Sequence, residues 1–295
     1  MDAIAIHRRA FLRQSSLLLA GSALASADAL RAAETADPLV RIGLATDLHY
    51  ADKPPAGARH YRETLSKFAE AAERFQREKV DCIVELGDII DAADAPDVEE
   101  GYLQRIAKEF AAVHDRRYYV VGNHCVDTLT KAEFLEIVGQ ESCHQSFDLK
   151  GYHWVVLDAC FRGDGEPYGR KNFQWTDANV PAAELDWLKA DLARTPHKTV
   201  VFIHQRIDVE GLHSVKNAAE VRKVLEGSGK VLAVLQGHFH RNDYREVGGI
   251  HYCTLAAMVE GSGEENNAYA LLDILPGHGM RIAGFRKQKG YEWPQ

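Results

Sequence analysis

No stretch of the 295-residue chain approaches the roughly 20 consecutive apolar residues that cross a bilayer, so no membrane span is expected in the mature protein. Cysteine is scarce. The five residues, Cys82, Cys125, Cys143, Cys160 and Cys253, are odd in number, widely spaced and without a CxxC pair. That pattern specifies no disulfide framework, no zinc ribbon and no redox dithiol. Positive charge is also in deficit, 35 Lys and Arg against 43 Asp and Glu, for a net charge of −8. A chain without a basic run has no electrostatic footprint for phosphate backbones, which excludes nucleic acid as an expected partner. Repeats, low-complexity segments and linkers are missing as well. The remaining composition, 46% hydrophobic and 26% charged, is that of an ordinary globular protein.

Residues 1–33 read as an export signal rather than as part of the fold. HRRAFLR at 7 to 13 precedes an apolar, small-residue stretch from Leu17 to Ala27 that ends in overlapping AxA patterns. The paired Arg8 and Arg9, followed by Phe11 and Leu12, resemble a twin-arginine signal, with His7 where Ser or Thr is usual. The expected partner of the precursor is therefore the twin-arginine export machinery, which carries folded proteins, and the expected location is the bacterial periplasm or exterior. A Sec signal is the alternative. Residues 34–295 then form one domain.

Within that domain short apolar runs rich in β-branched residues alternate with longer amphipathic ones. Strands are expected at 40 to 46, 82 to 86, 118 to 122, 153 to 158, 199 to 203, 231 to 236, 250 to 255, 269 to 275 and 280 to 285. Helices are expected near 60 to 79, 97 to 114, 131 to 138, 181 to 193 and 217 to 226. The order is βαβαβα early and mostly β late, the pattern of an α/β domain with an added antiparallel portion. The stretches 51 to 58 and 161 to 180 fit neither period and read as long, functional loops.

Five motifs rich in metal-ligand atoms fall just after five of the expected strands: Asp47-Leu48-His49, Gly87-Asp88-Ile89-Ile90-Asp91, Gly122-Asn123-His124, His204, and Gly237-His238-Phe239-His240. Ligands of open α/β sheets bind outside the carboxyl ends of the strands, so all five converge on one edge. A lone DxH or HxH is usually an ordinary polar pair; five in order at strand ends are not. Asp and His donors suit Mn, Fe or Zn. Two ions are expected, with Asp88 as the bridging carboxylate, Asp47, His49 and His240 completing one, and Asn123, His204 and His238 the other. Such a pair activates water near neutral pH and clamps an in-line displacement at phosphorus. Hydrolysis of a small phosphoric ester or pyrophosphate follows.

These residues resemble the calcineurin-like metallophosphoesterases over about 40 to 245. The resemblance implies a four-layer α/β/β/α sandwich with the site at one end, the ligand roles just given, and His124 as the residue that contacts phosphate and protonates the leaving group. DLHYAD, ELGDIID and AAMVEG at 256 to 261 are similar to the branch that includes the Mn-dependent ADP-ribose and CDP-alcohol diphosphatases. One departure carries an expectation: Cys125 stands where the family usually has Asp or Glu. Without that carboxylate His124 would lose its proton at lower pH, unless Cys125 itself becomes a thiolate beside the metals. The same departure motivates the alternative of a metal-binding, catalytically impaired phosphate-ligand binding or sensing protein. Gln205-Arg206 after His204 also differs from many members. Asp91 is left between a ligand-orienting role and a helix cap. Tyr50, Arg59, Tyr61, Tyr168, Phe173 and Trp175 are candidates for stacking a base or holding a second phosphate, or for pinning their own loops. The remaining histidines, His213 among them, fit no motif spacing and read as surface or structural.

Overall fold

In the computed structural model, which describes residues 37–294, the segment read as an export signal lies outside the described residues. Among the described residues twelve strands form two six-stranded sheets. The first has the order β12-β11-β10-β1-β2-β3 and the second β4-β5-β6-β7-β9-β8. Their ranges are β1 Val40–Ala45, β2 Cys82–Glu85, β3 Arg117–Tyr119, β4 Gln145–Leu149, β5 Tyr152–Val156, β6 Thr199–Ile203, β7 Val231–Gln236, β8 Asp243–Val247, β9 Ile250–Thr254, β10 Ala268–Ile274, β11 Met280–Arg286 and β12 Tyr291–Trp293. The helices are α1 Thr64–Arg77, α2 Pro96–Val113, α3 Lys131–Val138, α4 Ala182–Arg194 and α5 Ala218–Ser228. No helix among the described residues is long and apolar enough to cross a membrane.

The period-2 alternation of the strands sorts their side chains into separate apolar layers. Ile42, Leu44, Val84 and Leu272 of the first sheet meet Trp154, Phe202, Leu235 and Cys253 of the second, filling the space between the sheets. The opposite face of the first sheet, through Ala45, Ile83 and Tyr269, takes Phe68 and Phe75 of α1, Ile106 and Phe110 of α2, and Phe134 of α3. The far face of the second, through Val155, Val201 and Val234, takes Leu185 and Leu188 of α4 with Val221 and Leu225 of α5. Helix, sheet, sheet, helix is the four-layer α/β/β/α sandwich that the resemblance implies. The helices end where local chemistry dictates. Pro96 opens α2 with Asp97 and Glu99 in its first turn. Thr130 and Glu133 form a reciprocal capping box at α3, which closes on Gly139 in the left-handed conformation.

Three strands lie outside the expected set: β4, β8 and β12. All three are edge strands, short and partly solvated, so none shows a continuous apolar run. β1, β2 and β3 pair in parallel, as do β5, β6, β7 and β9, and the carboxyl ends of β1, β2, β3, β6 and β7 carry the motifs.

Candidate metal centre

Three of the five motifs, those after β1, β2 and β7, sit on a backbone forced out of ordinary strand geometry. Asp47, His49, Asp88, His238 and His240 have φ between 44° and 67°, the left-handed region. Such residues cost on the order of 1–3 kcal/mol each and persist only where the surroundings over-determine them. Here they do. Asp47 N donates to Gly87 O at 2.9 Å and His49 N to Asp88 O at 2.8 Å, which zips the first two loops together. His238 N donates to the Asp47 carboxylate at 3.0 Å, tying in the β7 loop from the other sheet. Two glycines are needed for close approach. A Cβ on Gly87, at φ 106°, would stand 2.3 Å from His204 Nδ1, and one on Gly122 would stand 2.2 Å from Asp88 Oδ1.

The side chains gather into three groups of metal-ligating atoms, of which Asp47–His49–His240 and Asp88–His204–His238 hold the strand-end ligands and the third, His49–Asp91–His124, shares His49 with the first. In the first, His240 Nε2 lies 3.3 Å from Asp47 Oδ1. His49 Nε2 faces His240 Nε2 at 3.1 Å. Two ring nitrogens at that separation would fit ligation of one cation. In the second, His204 Nε2 is 3.1 Å from Asp88 Oδ2. The same Asp88 oxygen is 3.6 Å from His49 Nε2, so it faces both clusters. Asn123 and His124 line the same cavity of about 230 Å³ as Asp88, His238 and His240. A larger groove of about 710 Å³ between α4 and α5 holds none of the clustered donors, and chemistry, not size, selects the site.

Two further features fit a cation. Nε2 of His204, Nε2 of His238 and Oδ1 of Asn123 are buried without hydrogen-bond partners. Buried polar atoms left unpaired are costly, and a metal would use all three. Three of the four histidines in the first two groups also have the opposite ring nitrogen occupied. His49 Nδ1 pairs with Asp91 Oδ1 at 2.9 Å, His204 Nδ1 with Leu86 O at 2.9 Å, and His240 Nδ1 with Glu260 Oε1 at 2.7 Å. That outer pairing fixes the tautomer and leaves Nε2 as the donor to a metal.

Charges follow the same arrangement. Burial works to lower His240, but Asp47 and Glu260 outweigh it and hold the imidazole at about 9. Burial, joined by the neighbouring His204, pushes His238 down to about 3, which makes it a neutral lone-pair donor. Burial opposes ionisation of Asp88 and Asp91, yet the surrounding histidines hold both carboxylates well below their usual range.

Asp91 is no helix cap, because α2 starts at Pro96 with Ala95 before it. Its Oδ1 lies 3.0 Å from His124 Nδ1, and its carboxylate also accepts from Lys53 and from Arg59 Nη1. The expectation built on Cys125 is thereby corrected: His124 has its carboxylate, supplied from the β2 loop. Cys125 is fully buried in the apolar layer with Phe134 and Val138. Burial, with Asp88 and Glu85 nearby, pushes its thiol well above the usual range. The five cysteines are all buried and free.

The aromatic candidates divide. Tyr50, Tyr61 and Tyr168 are buried, and Phe173 stacks on Tyr168 with ring centroids 3.9 Å apart, pinning its loop. Arg59 and Trp175 line the cavity, and so does His213, which sequence spacing had left among the structural histidines. Glu260 was also missed as an individual residue. It follows β9, inside the AAMVEG segment, whose backbone is tied to the β1 loop by Met258 N to Thr46 O at 3.1 Å. Glu260→Ala should weaken metal binding by about 10- to 100-fold, the usual effect of losing such an outer partner. Chelator competition measures it, and an unchanged affinity would remove Glu260 from the site.

The sequence profile of the calcineurin-like phosphoesterase superfamily domain matches residues 40–276. The chain is 22% identical to a manganese-dependent ADP-ribose/CDP-alcohol diphosphatase of Oryza sativa subsp. japonica, covering 83% of this chain and 91% of that one. It is 27% identical to a 3',5'-cyclic adenosine monophosphate phosphodiesterase of Haemophilus influenzae, covering 72% and 75%. Its fold superposes on a dimetal phosphatase from Danio rerio with a TM-score of 0.76 at 21% identity, over 87% of this chain and 99% of the other.

Proposed function

The chain belongs to the calcineurin-like phosphoesterase superfamily and is a hydrolase of that superfamily; on that premise we propose an exported enzyme that holds two divalent or trivalent metal ions and cleaves small phosphoric esters or anhydrides. The observation that carries this reading is the pair of donor clusters joined through one oxygen of Asp88. Asp47, His49 and His240 would hold one ion and Asn123, His204 and His238 the other, with Asp88 shared. When bound, such ions supply Lewis acidity and a nucleophile from water near neutral pH.

The chain's own groups do the rest. His124 is held from two sides, its backbone N donating to Asp88 Oδ1 at 2.8 Å and its Nδ1 beside Asp91. That leaves Nε2 toward the cavity, placed to donate a proton to a leaving-group oxygen. Burial works to lower the imidazole, but Asp88 and Asp91 outweigh it and raise it, which favours the protonated form that an acid needs. Arg59, on the same wall, has a guanidinium available for a second anionic group. The alternative of a binding protein without turnover rested on Cys125, and Asp91 removes that ground. A hydrolysis screen of phosphoesters and pyrophosphates with added Mn, Fe, Zn or Co tests the reading. The relatives named as manganese-dependent make Mn the first ion to try. No turnover with any ion would overturn it.

Export rests on the Arg8-Arg9 segment and the Ala-rich stretch after it. Arg8→Lys with Arg9→Lys should leave the precursor in the cytoplasm, as followed by fractionation. Normal arrival of the double variant in the periplasm would point to a Sec signal instead.

A further inference from the structure

Lys67, on α1, is a lysine with only 1% of its surface exposed. A buried ammonium is costly unless it is paired. Among the described residues its partners are three backbone carbonyls and no carboxylate: Met258 O at 2.9 Å, Glu260 O at 3.2 Å and Gly261 O at 2.6 Å. An ammonium carries three N–H donors and no acceptor, so these carbonyls use it completely.

The backbone of the segment is built for that contact. Gly261 lies at φ 75°, and a Cβ there would stand 2.6 Å from the Asn266 side chain. The turn at Gly261 sets its carbonyl beside those of Met258 and Glu260, and three carbonyl oxygens that converge on one point repel one another unless a cation sits between them. The amides of the same segment face the other way, toward the metal centre. Ala257 N donates to His240 O at 3.3 Å, while Met258 N donates to Thr46 O and Val259 N to Asp47 O, both at 3.1 Å. The Glu260 carboxylate then meets His240 Nδ1 at 2.7 Å. Lys67 itself is held in place, since Asn267 Nδ2 donates to its carbonyl at 2.8 Å and the next residue, Phe68, is packed in the apolar layer under the first sheet.

From this we infer that Lys67 is a positioning residue for the metal centre: its ammonium fixes the 258–261 backbone so that Glu260 holds the His240 imidazole with Nε2 toward an ion. The lysine does not line the cavity, and it acts through Glu260. The inference rests on the two-metal phosphoesterase reading.

A double-mutant cycle read on Mn affinity by chelator competition tests it. Lys67→Met keeps the length and the apolar stem without the ammonium, and should weaken Mn binding by about tenfold or more, as expected when the support of a ligand's outer partner is lost. If the lysine acts through Glu260, the double variant binds Mn no more weakly than Glu260→Ala alone, to within about twofold. A lysine that merely stabilised the fold would add its own loss to that of Glu260→Ala. Additive losses, or a Lys67→Met protein that binds Mn as the wild type does, overturn the assignment. Where circular dichroism shows the methionine variant unfolded, Lys67→Gln carries the same cycle, with a polar group in place but neither the charge nor the third donor, and the same two results decide it. Mn stoichiometry and turnover of bis(4-nitrophenyl) phosphate by the wild type separate the two readings. Absence of both would sink the enzyme itself, whereas two ions and turnover with additive losses sink the role of Lys67 alone.

Discussion

Asp88→Asn should lower metal content and hydrolytic activity together, with activity falling by more than the 10- to 100-fold usual when only an orienting partner is lost. The amide keeps the size of the carboxylate, and one oxygen can still accept from the His124 backbone N, now 2.8 Å from Oδ1. What disappears is the anionic charge at the single position that faces both clusters, 3.1 Å from His204 and 3.6 Å from His49. Two cations held close together repel strongly in a buried site, and the bridging charge is what offsets that repulsion. Elemental analysis and turnover at saturating metal check the result, with circular dichroism to establish that the variant is folded. Full metal content with full activity would remove Asp88 from the bridge.

His124→Ala should retain its metals and lose about 10²- to 10⁴-fold in rate on an alkyl phosphate, the usual contribution of a general acid. The loss on a nitrophenyl ester should be far smaller, because nitrophenolate leaves without protonation. Equal losses on the two substrates would count against proton donation. Asp91→Asn probes the same residue through its partner. An acid works only while protonated, so its activity disappears as pH rises through its pKa. Asp88 and Asp91 raise that pKa against the lowering effect of burial. Removing the Asp91 charge should therefore move the high-pH limb of the rate profile downward. A merely structural role for Asp91 would reduce the rate at every pH and leave that limb in place.

The interior of the fold was legible because its strands are almost wholly buried. β1, β6, β7 and β10 read as mostly apolar runs broken by at most one charged residue, Arg41 in β1 and Asp273 in β10, and the five helices carry apolar faces at helical spacing. The edges were not. QSFDL and DYREV, on a half-solvated border, break strict alternation with the adjacent polar pairs Gln145-Ser146 and Arg245-Glu246, and three-residue β12 is too short to carry a period. β3 shows the opposite case. Its apolar run extends to Gly122, but pairing stops at Tyr119 because the chain turns away to deliver Asn123 and His124.

The convergence of the seven candidate ligands could be read from sequence, since a strand end followed by Asp or His has one place to point. The supporting residues could not. Asp91 belongs to its loop by sequence and to His124 and His49 only by folding. Glu260 reaches His240 across twenty positions, and His213 reaches the cavity on a loop fixed by the Arg206 ion pairs. Cys125 misled for the same reason: sequence adjacency to His124 suggested an electrostatic partner, whereas the chain turns the thiol into the apolar layer and fills the need from another loop.

The central claim is a shared centre for two ions, and metal stoichiometry against activity tests it most directly. Apoprotein prepared by chelation and titrated with Mn should gain activity only as the second ion binds, reaching its maximum at two ions per chain by elemental analysis. A fully active preparation containing one ion per chain would contradict the account.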